Sequence, residues 1–205
     1  MSSLMDIIYS VLFGGTMFLI VLNANDIAVE NQTTYNGDMM VQQMLTSTAQ
    51  LVEGEFRNMG FNVSENTNTV RSADSSSIAF LCDLGRDGGM IDTIRYWTGP
   101  TSELAGTPNE LDRNLYRSVN GGQKAIVGVV TTFHLGYYTH EGDLLKLPVP
   151  SDRLSEVHVV EVTMEVQNSA ALARDPKQVK DGQRSALYSS SLWQQTRLAS
   201  QNSRR

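Results

Sequence analysis

The sequence predicts an α+β protein in which a long N-terminal α-helix, apolar and then amphipathic, packs on an antiparallel β-sheet head. Three observations carry this. Leu4 to Leu22 is a run of 19 residues whose only charge is Asp6. Between Met40 and Met59 apolar residues recur with a helical period. From Asn62 onward the period changes to two. The chain therefore divides into an apolar helix with a polar extension, residues 1–37, and a head, residues 38–205. The head comprises an amphipathic helix over 38–59 and an antiparallel sheet within 62–200.

The first segment, Ile7 to Leu22, reads IIYSVLFGGTMFLIVL. Crossing a bilayer takes about 20 apolar residues, range about 17–25, so the segment is marginal in length and good in composition. Three readings compete. A cleaved secretory signal would carry a basic n-region and a small-residue cleavage site, yet no Lys or Arg precedes Arg57 and Asn23-Ala24-Asn25 is a poor site. A buried core helix that is apolar all round needs a large protein around it. An anchor, inserted in a bilayer or packed with copies of itself, fits best. Gly14 and Gly15 each cost a helix about 1 kcal/mol against Ala, and small residues also let helices approach closely. Asp6 is the informative residue. A carboxylate in an apolar helix is expensive unless paired or at the interface. It reads either as a capping or first-turn acid favoured by the helix dipole, or as a pin that pairs with a neighbouring subunit.

In the second segment Val41, Leu45, Val52, Phe56 and Met59 share one face, with Gln42, Gln43, Thr46, Ser47, Gln50 and Glu53 on the other side. The helix is expected to run on from the anchor, either continuously or through a looser stretch at Asn36-Gly37, and to stop at Gly60. Leu51, Val52, Phe56, Arg57, Gly60 and Phe61 are the residues expected to join helix and head.

In the head, Ile78–Leu84 and Met90–Trp97 flank a Gly-rich turn and read as a hairpin. Leu115–Val119 is a short strand. Val127, Val129, Thr131, Phe133, Leu135 and Tyr137 alternate as one strand, followed by a turn at His140–Asp143 and by Leu144, Leu145 and Leu147. Val160, Val162, Met164 and Val166 alternate with Glu161, Thr163 and Glu165, which predicts one buried face and one wet face, covered by the amphipathic helix. Residues 168–183 read as a mobile loop. Tyr188, Leu192, Trp193 and Leu198 read as a last strand or docking segment, and 201–205 as a frayed end.

Composition narrows the function. Charged residues make up 19%, below the quarter or so of an ordinary globular domain, and hydrophobic residues 40%, against about 45–50% on a count that also includes Gly. Ser, Thr, Asn, Gln and Gly take their place and suit strands and turns. The net charge of −6 gives no reason to expect a nucleic-acid partner. From Ala171 onward seven basic residues face two acidic ones. This reads as a solvated terminal segment, or as a contact for an acidic neighbour or a membrane surface. The single cysteine, Cys82, lies in an apolar run and reads as a small buried residue. No phosphate-binding glycine loop or nucleophile elbow is present. His134, His140 and His158 lack paired metal-ligand spacing in the sequence. Asp83, Asp87 and Asp92 surround a Gly-rich loop whose carboxylates could hold a hard cation through oxygens. The loop does not match an EF-hand and Arg86 opposes a cation, so it reads as an ordinary hairpin turn. No catalytic residue, metal or cofactor is expected.

Two sets of residues resemble the type IV pilin-like superfamily. With Met1 removed, Asp6 falls fifth in the chain, where these proteins carry Glu. The phrase Glu55-Phe56-Arg57-Asn58-Met59-Gly60-Phe61 is similar to the helix end of PilW-like minor pilins and of the minor pseudopilins of type II secretion. The late Trp193, Arg197 and Leu198 also fit. The resemblance implies a structural subunit, not an enzyme, that sits in the inner membrane with its head in the periplasm or outside. It implies assembly with other pilin-like subunits, and with an assembly platform protein, into an extracellular filament or pseudopilus. Assembly would run through Leu4, Met5, Asp6, Ile7, Ile8, Leu12, Phe13, Phe18 and Leu22, with Asp6 neutralising the amine of the adjacent subunit. A membrane-tethered binding module that acts without assembly is the alternative.

Overall fold

The computed structural model of the chain describes residues 2–64, 66–85, 89–107, 109–167 and 191–199. Its first element, α1, is a single α-helix from Ser2 to Arg57, about 84 Å long at 1.5 Å per residue. No proline precedes Pro100, so nothing in this stretch forbids the helical hydrogen-bond ladder. The looser stretch considered at Asn36-Gly37 does not occur, and the helix runs straight through it. Hydroxyls along the way bond back to the preceding turn, as Ser10 Oγ does to the Asp6 carbonyl oxygen at 2.8 Å and Thr33 Oγ1 to that of Val29 at 2.9 Å.

The helix ends at Arg57, two residues before the expected last helical residue, Met59, and a turn carries the chain to Gly60. There φ is +78°, a left-handed conformation that glycine adopts without a Cβ penalty. The Gly60 amide then bonds the Leu81 carbonyl at 2.8 Å, which fastens the helix exit to the head.

Strands follow in two antiparallel sheets. The first has the order β1 (Val70–Ala73), β2 (Ser77–Cys82), β3 (Asp92–Thr98), β4 (Arg113–Val119) and β5 (Ala125–Val130). The second is β6 (Thr132–Tyr138), β7 (Val159–Gln167) and β8 (Ser191–Ala199). The β2–β3 hairpin is the one expected from the two apolar runs. Strand β2 lies inside its sheet and is covered on both faces. Ile78, Phe80 and Cys82 face the main core, while Ala79 and Leu81 are buried on the other side. Double burial explains why its sequence runs apolar without alternating.

The helix lies against β5, β7 and β8 and reaches β2 and β3 of the first sheet through Phe56. Val41, Leu45, Ala49, Val52 and Phe56 form its buried stripe, with Met59 just beyond its end. The Phe56 ring meets Phe80 edge-on at 5.2 Å and Tyr96 at 5.5 Å, the favoured geometry for aromatic pairs. On β7, Val160, Val162, Met164 and Val166 are buried while Glu161, Thr163 and Glu165 are half-covered, as their alternation predicts.

One strand expectation is overturned. Val127 to Tyr137 is not one strand but two, broken at Thr131 and shared between the sheets. Thr131 binds the Glu165 carbonyl with both its amide (2.9 Å) and its hydroxyl (3.1 Å) and forms the corner. The alternation changes phase there. The buried member of β5 is Val130, whereas β6 buries Phe133, Leu135 and Tyr137. The stretch Leu144–Leu147, which follows the turn, forms no strand beside β6. It makes a single bridge from Leu144 to Tyr138, and β6 pairs with β7 instead. Leu145 is nevertheless buried. The 168–183 loop, Tyr188 and the 201–205 end lie outside the described residues.

Candidate functional site

The apolar half of α1 meets nothing. Leu4, Met5, Ile7, Ile8, Leu12, Phe13, Phe18 and Leu22 are all exposed, with Phe13 at 68% and Phe18 at 63%. Residues 3–33, 35 and 36 are likewise open to the surroundings. The buried-core-helix reading is thereby excluded. The helix is long and apolar enough to cross a membrane, and none of its apolar window is buried within the chain. Exposed apolar surface on this scale marks a membrane or a protein contact.

Asp6 lies within this surface. It sits in the second turn of α1, whose first turn holds no acid, so the reading of Asp6 as a capping or first-turn acid does not hold. Gly14 and Gly15 have open space where a side chain would stand.

The other half of α1 is locked to the head. Glu55 lies beside Phe56 and reaches the first sheet. Its carboxylate accepts hydrogen bonds from Tyr96 Oη on β3 and from Nε (2.8 Å) and Nη2 of Arg117 on β4. Both members of the ion pair are largely covered, with side-chain exposures of 15% for Arg117 and 13% for Glu55. The fork of two parallel bonds is the stronger form of this pair. Hydrogen bonding to Glu55 raises the Arg117 pKa further. Burial, and after it the Glu55 charge, raises that of the Tyr96 phenol and keeps it protonated. Two residues earlier, about half a helical turn away, Glu53 accepts from Gln194 Nε2 and Thr196 Oγ1 of β8, both at 2.8 Å.

The six residues expected to join helix and head divide. Val52 and Phe56 are fully buried, and Gly60 makes the exit bond. Leu51 (39%) and Phe61 (51%) are exposed, as is Arg57. Each residue turns α1 by about 100°, so Leu51 and Arg57 are carried off the face that their neighbours Val52 and Phe56 occupy. Thr48, Ala49, Glu53 and Glu55 do joining work that was not expected of them. Thr48, 2% exposed, donates to the Val127 carbonyl at 3.1 Å. A side chain at Gly128 would come within 2.6 Å of its hydroxyl.

On the opposite face of the first sheet Trp97 stacks on Tyr116 at 5.5 Å, Arg95 lies over the Trp97 ring at 5.2 Å, and Lys124 lies over Tyr116 at 4.1 Å. Glu103 accepts from Tyr116 Oη and from Asn114 Nδ2 at 3.2 Å.

Cys82 is fully buried, and burial pushes its thiol up to about 11, which keeps it protonated and unreactive. Asp83 accepts from Asn62 Nδ2 at 2.8 Å and from the Gly85 amide at 2.7 Å, and the first of these bonds leads in holding its carboxyl below the usual range. Asp92 accepts from Asn120 Nδ2 at 2.7 Å. Asp83 therefore ties its turn to the helix exit and Asp92 ties β3 to the turn after β4, and Asp87 lies outside the described residues. His134 is exposed on β6. His140 and His158, 18 positions apart in the chain, come together with ring centres 5.4 Å apart.

A long apolar N-terminal helix packed at its far end on antiparallel sheets is a pilin-like architecture. Compared with protein families, curated proteins and solved structures, the chain matches none.

Proposed function

We propose that the chain is a structural subunit of a type IV pilus, a type II secretion pseudopilus or a related filament, of the minor-pilin or pseudopilin kind, and not an enzyme. The observation that carries this is the asymmetry of α1. Residues 4–22 expose an apolar surface interrupted by a single charge, Asp6, while its last turns are bolted to a β-head. Before assembly the apolar half sits in the inner membrane, with the head in the periplasm or outside. In assembly it leaves the bilayer to pack against the same half of neighbouring subunits, with an assembly platform protein as a further partner. Removal of apolar surface from water would drive any stage outside the lipid, and packing and lipid exclusion the stage within it.

Asp6 is assigned the register. An uncompensated carboxylate among Leu4, Met5, Ile7 and Ile8 is costly in lipid and in a packed filament core alike. A neighbour's N-terminal amine at the matching height removes that cost at one axial offset only. Replacing Asp6 by Ala should leave the thermal unfolding of the head unchanged and reduce recovery with partner subunits from membranes by about tenfold, the equivalent of 1.4 kcal/mol. Recovery equal to that of the unaltered chain removes Asp6 from the mechanism.

Electron microscopy of the full-length chain after detergent removal, beside a chain that starts at Asp38, tests assembly itself. The shorter chain keeps the whole buried stripe from Val41 onward, and circular dichroism checks its fold. Filaments or discrete oligomers from the full-length chain alone support the proposal. Monomers from both favour a membrane-tethered binding module, for which the Arg95–Trp97–Tyr116–Lys124 face is the natural contact surface.

A further inference from the structure

His140 lies in the turn that follows β6, and His158 immediately precedes β7. The pairing of Tyr138 with Val159 and the bond from the His158 amide to the Tyr138 carbonyl, 2.9 Å, hold the two strand ends side by side. The rings face each other across this junction with planes inclined at 57°. His140 is exposed and His158 half-buried, so the pair is open to solutes.

The tautomer of His158 follows from its neighbour. Its Nδ1 lies 3.0 Å from the Glu156 carbonyl oxygen. A carbonyl only accepts, so Nδ1 carries the proton and Nε2 presents a lone pair. A carbonyl that orients the far nitrogen in this way is the usual support of a metal-bound imidazole. The ring separation agrees. Two imidazoles bound at about 2.0–2.1 Å to one tetrahedral ion have ring centres about 5 Å apart, against the 5.4 Å found here.

We propose that His140 and His158 form a two-imidazole binding site for a borderline divalent transition metal, Cu2+, Ni2+ or Zn2+. Imidazole nitrogen suits these ions and not Mg2+ or Ca2+, which take oxygen ligands. Among the described residues no group of three or more His, Cys, Asp or Glu side chains is placed to hold an ion. The remaining coordination positions therefore fall to water or to a small ligand from solution, and the ion exchanges freely. This site is independent of filament assembly.

The test uses the full-length chain in mild detergent, purified without a histidine tag and stripped with a chelator. Calorimetric titration with Cu2+ and then Zn2+ should show one site per chain, tighter for Cu2+, as the general order of divalent affinities requires. The electron paramagnetic resonance spectrum of the Cu2+ form should show coupling to two imidazole nitrogens. His140→Ala and His158→Ala should each weaken binding at least tenfold, and His134→Ala should not. His140→Ala lies in an exposed turn, where substitution spares the fold, and the nitrogen coupling of the unaltered chain needs no variant. No saturable binding, a spectrum with oxygen ligands only, or equal affinity in all three variants would overturn the site.

Discussion

The two halves of α1 share one backbone and meet opposite surroundings. Residues 3–33 are exposed on every side, apolar first and then polar and acidic. From Val41 to Phe56 a stripe is sealed against both sheets. The same amino acids therefore mean different things in the two halves. A Phe in the second half is core, and a Phe in the first is unspent surface that needs lipid or a partner. The stretch between them, with Asn23, Asn25, Asn31, Asn36 and Gly37, is poor in strong helix formers. Isolated, such a segment would hardly hold a helix in water. It is helical here between an apolar segment that takes its order from its surroundings and a stripe that takes its order from the head.

The comparison is broken most directly with one substitution made twice. Phe56→Ala removes a ring that has no exposed surface and touches Phe80 and Tyr96. It should cost the head about 3–5 kcal/mol, the usual range for a buried Phe cut to Ala, read as a lowered urea midpoint. Phe18→Ala should leave that midpoint in place and weaken membrane retention or oligomer formation instead. Equal midpoint shifts from the two would mean that the halves are not energetically separate.

The acids sharpen the same contrast at smaller scale. Glu55→Gln keeps the shape of the side chain but strands the covered Arg117 guanidinium. Removing one partner of a buried pair costs about 3–5 kcal/mol. This pair retains some contact with water, so about 2 kcal/mol is expected. Asp26→Asn, on the open half, should leave the urea midpoint unmoved. If Glu55→Gln is silent as well, the exit of the helix is held by Phe56 and the Gly60–Leu81 bond without the ion pair.

How much of this could be read in advance follows the same division. The stripe Val41–Leu45–Val52–Phe56–Met59 was legible because burial on one side of a helix leaves a period of 3.6 in the sequence. The alternation of β7 was legible for the equivalent reason with a period of two. What leaves no period stayed hidden. Thr131 turns the chain from one sheet to the other inside an apparently continuous alternation, because periodicity records burial and not the identity of the pairing strand. Strand β1 is four residues long with the pattern buried, exposed, exposed, buried, too short to alternate. Glu55 stood within the phrase that carried the pilin-like resemblance, but Arg117, 62 positions away, carried no local sign of being its partner. The same holds for His140 and His158, which only the β6–β7 register brings together.

The smallest expected effect is also the most discriminating, because it is the same substitution at two sites with equal room. Gly14 and Gly54 are both helical, and apart from the adjoining backbone of the helix itself neither has an atom within 4 Å of the place a Cβ would take. Gly in a helix interior costs about 0.5–1 kcal/mol against Ala through the freedom it loses on ordering. Gly54 lies two residues from Val52 and Phe56, in the part of α1 that forms and melts with the head. Gly54→Ala should therefore raise the urea midpoint by an amount equivalent to that gain. Gly14→Ala makes the same local change 40 positions earlier, where helix and head share no contact, and its gain should appear only as resistance of the N-terminal half to amide exchange in micelles. A higher midpoint from Gly14→Ala would mean that α1 unfolds as one cooperative rod. An unchanged one places the boundary of the head's cooperative unit between Gly14 and Gly54, where the acidic stretch lies.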